Sequence, residues 1–197
     1  MKMSSPVPVY RCLRLVALAV ALAFGGAAAL GAREGKISGI PVKNFGKVND
    51  NYYRGSQPDA ESFAQLKRLG IKTVIDLRKD SRAEEPEQVR TLGMQYFNIP
   101  MKANRAATPA QTDYFLKLVN DSANWPVYVH CKGGRHRTGA LTAVYRITHD
   151  GWTADQAYDE MKKYDFNDGI FGGPAAQKKF VYSFYEQHTA TKLHSLP

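Results

Sequence analysis

The sequence predicts a single α/β domain, a mostly parallel central sheet of four or five strands with helices on both faces. Three observations predict it. Apolar, β-rich runs at 71–77 (IKTVIDL), 94–99 (MQYFNI) and 127–129 (VYV) are separated by stretches of helical length, and such alternation is the pattern of a parallel sheet. The 197 residues suit one ordinary domain with a short appendage. With 44% apolar and 23% charged residues, the chain is neither disordered nor a multi-span membrane protein.

The elements follow in order. Tyr52, Tyr53 and Arg54 suggest a short first strand, and Gly55-Ser56-Gln57-Pro58 turns into a helix over Asp59–Leu69, with Gly70 as its stop. Ile71–Leu77 reads as a buried strand, Glu85–Leu92 as a weak helix and Met94–Ile99 as the next strand. Thr108 with Gln111 forms a capping box for a helix through Asn120. Val127–Val129 is the most apolar strand. Helices are expected at Thr138–His149, Thr153–Tyr164 and Ala175–His188. In sheets of this kind, ligands bind beyond the carboxyl ends of the strands.

The termini stand apart. Lys2, Arg11 and Arg14 precede an unbroken apolar run from Leu15 to Leu30, and small residues follow through Ala32, which is the layout of a secretory signal. The run has 16 residues, rich in Ala and Gly, short of the roughly 20 that a spanning helix wants. Residues 1–32 are therefore expected to be a signal peptide or, failing cleavage, an N-terminal membrane anchor. Residues 33–43 follow as linker, 44–188 as the domain and 189–197 as a C-terminal tail. The expected location is periplasmic or secreted, with the membrane as a partner only through an uncleaved N-terminal segment.

The formal charge is +9, and losing residues 1–32 leaves +6, so the basic bias belongs to the domain as well and favours anionic partners. Two cysteines are too few for a disulfide scaffold, and no pair of CxxC units is present to hold zinc. Cys12 belongs to the N-terminal segment, which leaves Cys131 as the domain's lone thiol. An isolated cysteine is usually a small core hydrophobe. Its neighbours argue otherwise.

Residues 130–139 read HCKGGRHRTG, placed between a predicted strand and a predicted helix. Gly133 and Gly134 permit the backbone dihedrals and close approach with which a loop can turn N–H groups onto an anion. The helix beginning near Thr138 adds the positive end of its dipole. These groups and Arg137 favour the charged form of the Cys131 sulfur. Arg137 can return across the loop and grip two phosphate oxygens with its planar fork, which Lys would not reproduce. Gly134 and Gly139 have the separation of a nucleotide-binding glycine loop, but Ala140-Leu141 stands where Lys-Ser/Thr is required.

His130, Cys131, Gly134, Arg137, Thr138 and Gly139 match H-C-x-x-G-x-x-R-T-G, and here the chain resembles the cysteine-dependent protein tyrosine phosphatase superfamily. The late position of the motif matches its dual-specificity branch. The likeness extends over residues 44–188, and the segment from Val48 to Arg78 is similar to the atypical plant and fungal enzymes and their bacterial relatives. The resemblance implies a phosphate monoester hydrolase working through a cysteinyl-phosphate, without metal or cofactor. Cys131 would be the nucleophile, Arg137 the phosphate clamp, Thr138 a hydrogen-bond donor to the sulfur and His130 an organiser of the loop. Thr138 also reads as a plain helix N-cap.

One departure stands out. Dual-specificity enzymes usually carry an Asp after the strand equivalent to 94–99, and here PMKANRAA at 100–107 has no carboxylate. His136 is the tentative substitute acid. Asp165 and Asp168 of YDFNDG read more readily as turn residues, and Asp113 as a favourable charge at a helix start. Without a strong acid, aryl phosphates and phosphoanhydrides are better substrates than serine phosphates. Lys132, Arg135, Lys102 and Arg105, with the backbone of Gly133 and Gly134, are the expected substrate-binding groups. Their charge points to a phosphorylated protein, phosphotyrosine first, or to a small polyanion such as an inositol polyphosphate or pyrophosphate. Nucleic acid is not an expected partner. The rival from another class is a non-catalytic phosphate-binding module.

Overall fold

The computed structural model describes residues 39–167 and 173–194. Its centre is a five-stranded sheet of β1 (Gly46–Asn49), β2 (Tyr52–Ser56), β3 (Thr73–Arg78), β4 (Gln95–Met101) and β5 (Val127–Cys131), in the order β1-β2-β5-β3-β4. Four strands run parallel, and β1 lies antiparallel on the outer edge of β2. The expected mostly parallel sheet is present. Its edge strand was not expected, because GKVN is short and carries no β-rich run.

The described residues hold six α-helices: α1 (Ala60–Arg68), α2 (Glu85–Thr91), α3 (Pro109–Asn120), α4 (His136–His149), α5 (Ala154–Lys163) and α6 (Gly173–His194). Side chains alternate across each strand, so the sheet buries two apolar faces. Val127, Val129, Ile75, Leu77 and Ile99 face Phe115 and Leu118 of α3 and Leu141 and Val144 of α4. Tyr128, Tyr53 and Val74 face Phe63 and Leu66 of α1 and Val89 of α2. Helices thus cover both faces, as predicted.

Side-chain caps explain where three of the helices start. Asp59 accepts from the Ser62 N–H at 2.8 Å, and Thr108 and Thr153 each form a capping box with the Gln three residues on. Several boundaries differ from expectation. β2 takes in Gly55 and Ser56, read as a turn, and β5 runs past Val129 to Cys131. α4 begins at His136 rather than Thr138, so Thr138 lies within the first turn and is not the N-cap. α6 continues to His194, past residue 188. Inside the molecule, buried Arg146 of α4 donates to Glu160 of α5 at 2.7 Å and joins the two helices.

The predicted signal or anchor at 1–32 lies outside the described residues, as do Asp168 and the end of the predicted tail. The described part of the predicted linker already packs on the domain, with Val42 buried beside Phe45 and Tyr128. No described helix is long and apolar enough to cross a membrane.

Candidate active site

The site lies where β5, flanked by β2 and β3, delivers its carboxyl end into α4. Cys131 closes the strand, residues 132–135 form the loop, and α4 begins at His136. Gly134 carries φ +66, and a Cβ there would stand 2.4 Å from the Gly55 carbonyl carbon and 2.6 Å from the Ser56 nitrogen. No other residue fits at this crossing of loop and β2.

Two side chains fix the loop's direction. Asn44 Nδ2 donates to the Gly133 carbonyl at 2.9 Å, and Arg54 donates to the Gly134 carbonyl at 2.8 Å. Each trans peptide then sets the N–H of the next residue on the opposite side. Arg54 is wholly buried, with its guanidinium over the Tyr164 ring at 3.9 Å, and two of its nitrogens have no hydrogen-bond partner. It places a cation beneath the loop. Neither Asn44 nor Arg54 was legible as a site residue, since both lie some eighty residues from the loop.

Cys131 is 3% exposed. Burial alone would push its thiol up, but the Thr138 hydroxyl, the Thr138 N–H, Arg137 and the Gly133 N–H together outweigh burial and hold it below the ordinary thiol value. The Thr138 hydroxyl is buried and makes no hydrogen bond of its own in the structure, and it is among the groups that favour charge on the sulfur. Arg137 is nearly buried, donates to the Met101 carbonyl at 3.0 Å and stands 3.5 Å from the exposed Asp80 carboxylate.

Above the sulfur opens a cavity of about 520 Å³, lined by Cys131, Lys132, Gly133, Arg135, His136 and Arg137 from the loop and by Lys43, Asn44, Ala103 and Asp165 from elsewhere. Of the predicted substrate-binding residues, Lys132, Gly133 and Arg135 line this cavity with Cys131. Lys102 and Arg105 line a separate cavity of about 570 Å³ with Lys79 and Gln111. The chain after β4 meets the Cys131 cavity through Ala103 alone, and Gln177 of α6 donates to the Ala103 and Arg105 carbonyls. His136 lines the cavity half-buried, edge-on to Phe166 at 5.2 Å. Burial, then Arg135, then Arg137 lower its pKa, while the Asn167 backbone opposes them. Its imidazolium is therefore scarce at neutral pH, which weakens it as the acid.

Beneath the other side of the loop sits a buried ionic cluster. Arg78 donates to Asp76 at 3.1 Å and to Glu85 at 3.1 Å, and His130 Nε2 lies 2.8 Å from Glu85. Asp76, Glu85 and His130 form the one group of possible metal ligands among the described residues, within 4.8 Å of one another. The Arg78 guanidinium, bonded to both carboxylates, already supplies the cation there. The cluster holds His130 next to Cys131, consistent with a structural role for that histidine.

The comparisons with known proteins agree with this geometry. The family described as "PTP-NADK: DSP-PTPase phosphatase fused to NAD+ Kinase" matches residues 43–181. The chain is 31% identical over 128 residues to the dual specificity protein phosphatase TpbA of Pseudomonas aeruginosa, covering 65% of this chain and 57% of that protein. It is 32% identical over 129 residues to the inositol diphosphatase DSP3 of Arabidopsis thaliana, covering 62% and 63%. The chain thus spans about three fifths of the length of these relatives. The crystal structure of the core catalytic domain of the PP-IP phosphatase SIW14 from S. cerevisiae, in complex with citrate, superposes with a TM-score of 0.65 at 26% identity, covering 81% of this chain and 98% of that one.

Proposed function

The chain belongs to the DSP-PTPase phosphatase family, and from that premise we propose that it hydrolyses phosphate monoesters through a cysteinyl-phosphate intermediate. The observation that carries this is the Cys131 sulfur, buried at the floor of the cavity and held toward its charged form by Thr138, Arg137 and Gly133. A module that only bound phosphate would have no use for a thiolate there.

In the proposed reaction the substrate phosphoryl group lies on the inward N–H groups of residues 132–137, with Arg137 spanning two of its oxygens. The sulfur attacks phosphorus in line, the ester oxygen leaves, and water then cleaves the S–P bond and restores the thiolate. The Thr138 hydroxyl assists that second departure by bonding to the sulfur. Nothing in these steps draws on a metal or cofactor.

The substrate is a phosphorylated protein side chain or a small polyanion. Phosphotyrosine fits the leaving-group argument, because an aryl oxygen departs more readily than a serine oxygen. A specific observation favours a second substrate class: Lys43, Lys132 and Arg135 line the cavity beyond what one phosphate needs, and relatives are named inositol diphosphatases. Under this proposal the protein is exported, as the pattern of residues 1–32 suggests. Cell fractionation followed by N-terminal sequencing tests that: protein in the periplasm or medium starting beyond residue 29 supports export with cleavage, membrane-bound protein that keeps Met1 supports the anchor instead, and protein confined to the cytoplasm contradicts export.

The test of the activity is turnover of p-nitrophenyl phosphate, phosphotyrosine peptide and inositol pyrophosphate by the wild type and by Cys131→Ser. Metal-independent turnover that disappears with the sulfur supports the proposal; equal rates in both proteins contradict it.

A further inference from the structure

A cysteine phosphatase needs a proton for its leaving oxygen, and the chain after β4 offers none. Two carboxylates from other loops approach the site instead. Asp80, after β3, faces Arg137 at 3.5 Å, and its own backbone N–H and the Arg137 guanidinium hold its carboxyl below the usual range, so it stays ionised. It is a counter-ion to the phosphate clamp.

Asp165 is placed differently. It follows α5 and, among the described residues, is the one carboxylate lining the Cys131 cavity. Its backbone has φ +59, a left-handed conformation that Asp tolerates. Two hydrogen bonds set that turn, from the Asp165 N–H to the Lys162 carbonyl at 3.2 Å and from the Phe166 N–H to the Met161 carbonyl at 3.1 Å. Neighbouring Phe166 is buried against the edge of His136, which fixes the turn against the first residue of α4. The side chain is exposed. The charged or titratable groups sharing its cavity are Lys43, Cys131, Lys132, Arg135, His136 and Arg137.

We infer that Asp165 is the general acid and base of the reaction, an inference that rests on the phosphatase reading above. In the first step the P–O bond to the leaving group breaks as the S–P bond forms, and the Asp165 carboxyl gives its proton to the departing oxygen. In the second step the Asp165 carboxylate takes a proton from the water that attacks phosphorus, the S–P bond breaks, and the carboxyl is protonated again. Each turnover returns the thiolate and the acid to their starting forms.

General acid catalysis matters in proportion to how poor the leaving group is, so a leaving-group series isolates it. The full-length chain, as wild type, Asp165→Asn and Asp80→Asn, is assayed across pH on phenyl phosphate and p-nitrophenyl phosphate. Asn keeps the left-handed turn, so folding is preserved, and equal melting temperatures check this. Asp165→Asn is expected to lose about 100-fold in kcat on phenyl phosphate and only a few-fold on p-nitrophenyl phosphate, together with the basic limb of its pH profile. Asp80→Asn keeps the wild-type ratio between the two substrates. An equal loss on both substrates, no loss on either, or the leaving-group effect appearing in Asp80→Asn instead would overturn the assignment. A wild type inactive on p-nitrophenyl phosphate would overturn the phosphatase reading itself, an outcome separable from failure of the acid.

Discussion

The floor and the rim of the cavity are built on different terms. The floor is buried and over-determined: Cys131, Arg137 and Thr138 are nearly or wholly inaccessible, Gly134 is wedged against β2, and Arg54 and Asn44 hold the loop carbonyls. The rim is assembled from Lys43, Ala103, Lys132, Arg135 and Asp165, most of them exposed and drawn from segments far apart in the chain. A stiff floor fixes what bond is broken; a sparsely tethered rim sets which molecule brings it. Substitutions in the two regions should therefore fail in different currencies.

The largest effect is expected at the clamp. Arg137→Lys removes the planar fork while keeping the charge and should cost about 10²- to 10³-fold in kcat, read on p-nitrophenyl phosphate. A loss under tenfold would break the distinction by making the floor tolerant. Next is Gly134→Ala, whose Cβ meets the Gly55 backbone at 2.4 Å in a left-handed conformation. It should destabilise the fold by about 2 kcal/mol or more and weaken phosphate binding, seen together as a lower Tm and loss of protection by phosphate.

Thr138→Ala should slow turnover about tenfold or more, the worth of a hydrogen bond to a charged group. The hydroxyl stabilises the thiolate, so its loss raises the Cys131 pKa. The ascending limb of the kcat/KM profile then moves to higher pH; an unmoved limb would mean that the hydroxyl does not reach the sulfur. The smallest effect belongs to the rim. Lys43→Ala should raise KM for an inositol polyphosphate by no more than about fivefold while leaving kcat on aryl phosphates alone. Lys102→Ala, from the neighbouring cavity, should change neither, and a matching KM increase there would merge the two cavities into one binding surface.

The same division decides how much could be read from the chain beforehand. The floor is local in sequence: a strand, four loop residues and a helix put Cys131, Gly134, Arg137 and Thr138 within one decapeptide, where motif and spacing together could pick them out. The parallel strands were legible for a similar reason, because burial on both faces writes them as continuous apolar runs. β1 escaped because an edge strand needs only two buried residues to hold it. Arg54 and Asn44 escaped because their partners are backbone carbonyls eighty and eighty-nine residues away, and a carbonyl leaves no trace in residue identity. The separate cavity lined by Lys102 and Arg105 escaped by the same limit. Nearness in sequence to Met101, which receives Arg137, does not fix which way the chain turns afterwards, and the contacts with Gln177 lie beside the other cavity. Asp165 looked like an ordinary turn residue, and it is one; its place on the cavity comes from α5 packing against α4, which no single segment encodes.

The most direct test of a nucleophilic sulfur is to quench the full-length chain during turnover of an aryl phosphate and locate the bound phosphoryl group by mass spectrometry. One phosphoryl group on Cys131, accumulating in Thr138→Ala and missing in Cys131→Ser, is the predicted result. A wild type that turns over while its Cys131 peptide never gains that mass, or a phosphoryl group found on another residue, would contradict it.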